Sequence, residues 1–132
     1  MHLIIDGYSK NSELLQSEEG IYKLLDQYPA EIGMTKITPP HVFKYVGAKP
    51  EEWGISGFVF IAESHISIHT FVEQRFVNID VFSCKDFDAD RVIRDLGDRL
   101  GLIKIKTYLL SRSAEDLGCL DETEEIAWSK SG

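Results

Sequence analysis

The chain has little cysteine: Cys84 and Cys119 are its two thiols in 132 residues, too few for a disulfide framework or a thiolate metal cage within one chain. It has no apolar run near the roughly 20 residues that a membrane-spanning helix needs. Its start, Met1-His2-Leu3-Ile4-Ile5-Asp6, lacks the basic-then-apolar plan of a signal peptide. A soluble, cytoplasmic protein is expected. Basic residues are scarce as well, with 14 Lys and Arg against 22 Asp and Glu and a formal charge of −8. That sign argues against nucleic acid or an anionic membrane surface as the main partner, because both attract basic patches. Apolar residues are plentiful at 43%, enough for one domain of this length to bury its own core.

The charge is uneven. From Arg112 to Gly132 six acids face only Arg112 and Lys130, and large apolar side chains are few. Residues 112–132 therefore read as an acidic peripheral tail, and 1–111 as the compact domain. Within it, His2 to Tyr8 reads as a strand. Ser17-Glu18-Glu19-Gly20 ahead of Ile21, Leu24, Leu25 and Tyr28 predicts a capped amphipathic helix that Pro29 need not end at once. Pro39-Pro40 confines the extended stretch Lys36 to Val46 to an edge or a bulge. Ala48 to Gly54 reads as a loop, and strands are expected over Gly57 to Ala62, His65 to Phe71 and Phe76 to Cys84. Asp88 caps a second helix whose apolar positions Val92, Ile93, Leu96 and Leu100 lead to a terminal Gly101, and Ile103 to Leu110 closes the domain as a strand. The links between the middle strands are too short for parallel crossovers. The expected fold is an α+β two-layer sandwich, a mainly antiparallel sheet with two helices packed on one face.

Chemistry concentrates in Glu63-Ser64-His65-Ile66-Ser67-Ile68-His69-Thr70. On a helix, His65 and His69 would share a face and could hold a metal. The β-branched alternation of Ile66, Ile68 and Thr70 favours a strand instead, and there the two imidazoles sit about 13 Å apart, too far for one ion. The plain alternative makes His65, Ser67 and His69 the solvated face of a half-buried strand. A third reading makes Ser64 a nucleophile, which needs a neighbouring base and acceptor that sequence alone does not place. If the two strands flanking Val72 to Arg75 pair as a hairpin, their polar faces coincide only when paired residue numbers sum to an odd value. A sum near 147 pairs His69 with Asn78 and Ser67 with Asp80, and sets Cys84 opposite Glu63. Cys84 is otherwise an inert strand-end thiol, and Cys119 has no polar constellation around it.

Gly54-Ile55-Ser56-Gly57, then Ala62-Glu63-Ser64-His65-Ile66-Ser67-Ile68-His69-Thr70, then Ile79-Asp80-Val81-Phe82-Ser83-Cys84 resembles the short prokaryotic pyruvoyl-dependent S-adenosylmethionine decarboxylases. The close match runs from about Gly54 to Cys84. The resemblance implies a cytoplasmic zymogen that cuts itself between Glu63 and Ser64: the Ser64 hydroxyl attacks the Glu63 carbonyl, and β-elimination and hydrolysis turn residue 64 into a pyruvoyl group. By the same resemblance Ser56 and His69 assist processing, the pyruvoyl forms a Schiff base with the substrate amine, Cys84 returns a proton after decarboxylation, and Glu73 accepts hydrogen bonds from ribose hydroxyls. No metal is implied. The implied activity is a lyase reaction on S-adenosylmethionine feeding spermidine biosynthesis, in a homodimer of cleaved chain pairs. The chain departs from the family pattern at Phe71-Val72-Glu73, where Trp-Pro-Glu or Phe-Pro-Glu is common, and at Arg75, where Gly is common. These departures leave a pyruvoyl-dependent decarboxylase of arginine or ornithine, or an uncleaved non-catalytic homologue, as alternatives. The sequence does not choose among Phe43, Tyr45 and Trp53 as the aromatic that stacks on adenine.

Overall fold

The computed structural model describes residues 1–120, so the part of the expected acidic tail from 121 to 132 lies outside the described residues. The element order is β1 (His2–Ser9), α1 (Ser12–Leu15), α2 (Glu18–Glu31), β2 (His41–Val46), β3 (Trp53–Ile61), β4 (Ser64–Phe71), β5 (Phe76–Phe82), α3 (Ala89–Leu100) and β6 (Leu102–Leu110), followed by a 3-10 turn over Ala114–Leu117. All six strands form one antiparallel sheet in the order β2-β3-β4-β5-β1-β6. One side-chain parity of the strands, including Leu3, Ile5, Ile66, Ile68, Ile79 and Val81, joins Leu15, Ile21, Leu25, Val92 and Leu96 of the helices in a single core. The helices thus cover one face of the sheet, as the alternation of the strands and the helical spacing of α2 and α3 require. No helix among the described residues is long and apolar enough to cross a membrane.

The helix ends follow local chemistry. The Ser17 side chain accepts from the Gly20 amide at 2.9 Å, and Asp88 accepts from the Arg91 amide at 3.1 Å, so each caps orphan donors of the first turn. Gly101 ends α3 in the left-handed region at φ 62°, where a side chain would be strained. Pro29 lies inside α2 near its end, costing one ladder bond without stopping the helix. α1 was not anticipated, since four residues carry too little periodicity to register. β3 begins at Trp53, earlier than the expected Gly57. Glycines weaken its propensity, but the Val72 amide bonds the Trp53 carbonyl at 3.2 Å and the Ile55 amide bonds Thr70 Oγ1 at 2.8 Å, which hold Trp53 to Ser56 in the sheet.

The buried phenol of Tyr28 donates to Asp95 at 2.9 Å and joins α2 to α3. Burial, and then the hydrogen bond to Asp95, holds its pKa well above the usual tyrosine range. Arg99 packs over the ring and also pairs with Glu31, so four side chains clamp the helices together. Tyr28→Phe, which keeps the packing and removes the donor, is expected to lower the unfolding free energy by about 1.5 kcal/mol, the lower end of the range for a hydrogen bond to a charged group because Asp95 is only half-buried. Urea denaturation of the two proteins measures the difference.

Candidate active site

The face of the sheet opposite the helices carries Ser56, His65, Ser67, His69 and Asp80. Across it the register lines up Phe43, Ser56, His69, Asn78, Asp6 and Lys106 in one row, and Phe60, His65, Phe82, His2 and Leu110 in another. The β4–β5 pairs His69↔Asn78 and Ser67↔Asp80 are those of the sum 147, one of the odd values that set both polar sets on one face. His65 and His69 share this face four residues apart on a continuous strand, the spacing that separates two imidazoles beyond one ion.

At the end of the sheet nearest residue 64, Glu63, Ser64 and Cys84 meet. The turn Ala62-Glu63 joins β3 to β4, with Ile61 and Ser64 as the closing pair. The Ser64 hydroxyl, 8% exposed, accepts from the Cys84 amide at 3.1 Å. The Cys84 thiol donates to the Glu63 carbonyl oxygen at 3.0 Å. The Ser64 hydroxyl and the Glu63 carbonyl are therefore bracketed by one residue, which reaches them because β5 runs out beside the β3–β4 turn. Ser64 has the parity of buried Ile66 and Ile68, whereas Cys84 and Glu63 are exposed.

At the other end of β4, His69 Nδ1 and Ser56 Oγ hydrogen-bond at 2.8 Å across the β3–β4 ladder. Thr70, next in the chain and buried, donates to the Leu15 carbonyl at 2.7 Å and so anchors this end to α1. Gly54 is required here: a Cβ would stand 1.7 Å from the Thr70 carbonyl oxygen. Trp53 Nε1 donates to Glu73 Oε1 at 3.2 Å, and Trp53 with Tyr45, Ser56, His69 and Phe71 among others lines a cavity of about 500 Å³ that Glu73 itself does not line. Two of the three aromatics left open by the sequence, Tyr45 and Trp53, line it, and Phe43 does not. Phe71 does, a role that sequence reasoning missed although its place beside His-Thr was a signal. Val72 is buried, and Arg75 adopts φ 53°, the conformation that explains why a glycine suits that position.

The structure does not bring the two groups together within one chain. β4 runs unbroken from Ser64 to Phe71, so Ser64 and His69 are separated by about 16 Å at 3.3 Å per residue, and their side chains leave opposite faces of the sheet. Between them lie His65, Phe82, His2 and Asp80. His2 Nε2 pairs with Asp80 at 2.8 Å, Arg112 lies over the Phe82 ring, and burial followed by the nearby His2 pushes the His65 imidazole below its ordinary pKa, favouring the neutral ring. Much of this face is uncovered aromatic surface: Tyr8, Phe43, Tyr45, Phe60, Phe71 and Tyr108 are each at least 40% exposed. Among the described residues no group of three or more His, Cys, Asp or Glu is placed to hold a metal ion.

Comparison with known proteins points one way. The model of the S-adenosylmethionine decarboxylase family matches residues 1–113. An S-adenosylmethionine decarboxylase proenzyme of Clostridium botulinum is 33% identical over 116 residues, covering 87% of this chain and 95% of the relative. A proenzyme of the same description from Thermoplasma acidophilum is 34% identical over 113 residues, covering 85% and 82%. The crystal structure of the adenosylmethionine decarboxylase from Aquifex aeolicus is similar in fold with a TM-score of 0.72 at 25% identity, covering 94% of this chain and 95% of the other.

Proposed function

Because this chain belongs to the S-adenosylmethionine decarboxylase family, we propose that it is a self-processing, pyruvoyl-dependent decarboxylase of S-adenosylmethionine that supplies the aminopropyl donor for spermidine synthesis in the cytoplasm. The observation that carries the proposal is the placement of Cys84, with its amide on the Ser64 hydroxyl and its thiol on the Glu63 carbonyl oxygen. Such a placement fits the making of a pyruvoyl group at residue 64.

In the processing reaction Ser64 Oγ bonds to the Glu63 carbonyl carbon while the Cys84 thiol faces the oxygen on which negative charge develops. The Glu63 C–Ser64 N bond breaks, and the hydroxyl proton ends on the freed amine. Loss of the residue 64 Cα proton then expels the Glu63 carboxylate, and water replaces the nitrogen, released as ammonia. The products are residues 1–63 and a chain of 69 residues beginning at position 64. The pyruvoyl group supplies an electron sink for decarboxylation. Cys84 Sγ–H then delivers a proton to the carbon that carbon dioxide has left. Glu73, presented by Trp53, accepts from the ribose hydroxyls, and Tyr45, Trp53 and Phe71 offer aromatic faces to the adenine.

His69, hydrogen-bonded to Ser56, is the proton acceptor of processing, and it acts on a second copy of the chain. With about 16 Å between Ser64 and His69 in one chain, the two ends complete each other when two chains pair about a two-fold axis that brings the partner's His69 to the exposed β3–β4 turn beside Ser64. Each copy then lends its Ser56–His69 end to the partner's Glu63–Ser64–Cys84 end. The exposed aromatics of the open face supply the apolar contact for such a homodimer. Its partners are thus the small-molecule substrate and a second copy, with no nucleic acid or membrane involved.

Intact-mass analysis under denaturing conditions, together with carbon dioxide release from S-adenosylmethionine, arginine and ornithine, tests the whole reading. Two fragments with residue 64 blocked as a pyruvoyl, and release from S-adenosylmethionine, are expected. A single uncut chain, or release only from an amino acid, overturns it. Cys84→Ala is expected to process roughly 10-fold more slowly, below the 10²–10³ of an N–H oxyanion donor because a thiol donates weakly. Once cleaved, it is expected to turn over about 10²-fold more slowly or worse. Quenched cleavage time courses and steady-state assays separate the two effects.

A further inference from the structure

We infer that the left-handed backbone of Glu63 is a positioning device for self-cleavage, holding the scissile bond in a conformation that is relieved only when that bond breaks; the inference rests on the self-processing reading above. Glu63 has φ 60°, and among the described residues only Arg75 shares a positive φ without being glycine. A side chain in this region crowds its Cβ against the following carbonyl. A two-residue turn with positive φ at its second position ordinarily takes Gly or Asn there. Glutamate is neither.

The neighbours prevent relaxation. On one side the Ala62 amide donates to the Thr35 carbonyl at 2.9 Å, and the Ile37 amide donates to the Phe60 carbonyl at 2.9 Å, so the strand end before the turn is held by residues 35–37. On the other side Ser64 is paired with Ile61 in the ladder and its hydroxyl is tied to the Cys84 amide. The Glu63 carbonyl itself is engaged by the Cys84 thiol. A residue fixed at both ends and at its own carbonyl keeps an unfavourable φ as long as the peptide bond is intact.

The cleavage chemistry then acts on that bond. When Ser64 Oγ takes the Glu63 acyl group and the Glu63 C–Ser64 N bond breaks, with the hydroxyl proton passing to the amine, Glu63 is tethered through the Ser64 Oγ, Cβ and Cα atoms. The longer tether no longer imposes the turn, so Glu63 returns to negative φ. The amide is strained and the ester is not, which raises the starting state toward the transition state. Arg75 carries a similar φ in a turn where no bond breaks, so relieving it there leaves cleavage alone.

Cell-free synthesis of the full-length chain, quenched at intervals and resolved by denaturing electrophoresis, reads the first-order cleavage rate. Two matched pairs isolate the backbone from the carboxylate. Glu63→Gly is expected to cleave about fivefold more slowly than Glu63→Ala, which differs from it only by a Cβ; at 1.36 kcal/mol per tenfold this is about 1 kcal/mol. Glu63→Asn, which tolerates the left-handed region, is expected to be slower than Glu63→Gln in the same sense. Arg75→Gly is expected to match the wild type. Equal rates within both pairs, or an Arg75→Gly that slows as much as Glu63→Gly, overturn the inference while wild-type cleavage leaves self-processing standing. A wild type that never cleaves strikes self-processing itself and takes this inference with it.

Discussion

Replacing Ser64 by Ala is expected to leave one uncut chain of 15.0 kDa that releases no carbon dioxide from S-adenosylmethionine. The substitution removes the hydroxyl that receives the Glu63 acyl group and whose elimination makes the pyruvoyl, so neither the cut nor the pyruvoyl forms, and the loss is complete rather than partial. The fold should survive. Alanine occupies less volume than serine at a buried strand end, and the Cys84 amide that loses its acceptor belongs to an exposed residue where water replaces the hydroxyl, so the cost is about 1 kcal/mol. Intact mass and a thermal melt examine the two halves of this expectation separately. Detection of a chain beginning at residue 64 in folded Ser64→Ala protein would remove Ser64 from the mechanism.

The second large effect is a rescue. Ser64→Ala and His69→Ala are each expected to remain uncut when made alone, the first for want of a nucleophile and the second for want of the proton acceptor. Co-expressed, they are expected to yield the 69-residue fragment from the His69→Ala chain. In a mixed dimer that chain keeps Ser64, Glu63 and Cys84 and borrows His69 from its partner, which makes one competent site out of two. Random pairing about a two-fold axis would cut about half of the Ser64-bearing chains. The rescue depends on the separation along β4, because an imidazole about 16 Å away in its own chain cannot take a proton from residue 64. Mass spectrometry with one chain carrying a distinguishing tag identifies which chain is cut. If no fragment appears although the two variants co-purify, the paired-site arrangement fails and His69 must serve its own chain or none.

Much of the fold was legible because local rules and global packing agree. Ser17 and Asp88 announce helix starts through short acceptor side chains. Gly101 announces an end through its tolerance of positive φ. The middle strands announce themselves through β-branched alternation. Parity confined the β4–β5 pairing to odd sums, since a slip by one residue would set the apolar face of one strand beside the polar face of the other, and the short Val72 to Arg75 loop selected 147 among them. What escaped was decided by tertiary contacts: α1 is held by Leu15 in the core and by Thr70 on its carbonyl, and the early start of β3 by bonds from Val72 and Thr70.

The candidate site divides along the same line. By itself the sequence determined which residue types face which side of β4 and β5, that Cys84 would arrive opposite Glu63, and that Ser56, Ser64, His69 and Glu73 match a known pattern. These are consequences of period-two geometry and residue identity, both local. Only the tertiary structure decided that β4 stays straight, so that Ser64 and His69 occupy opposite ends of the sheet. It also decided that Trp53 holds Glu73, that the Cys84 amide and thiol split between the Ser64 hydroxyl and the Glu63 carbonyl, and that Glu63 is forced to positive φ. The physical reason is that distances and backbone dihedrals at a turn are set by what the flanking strands pair with. Those partners, residues 35–37 and 82–84, are far away in the chain.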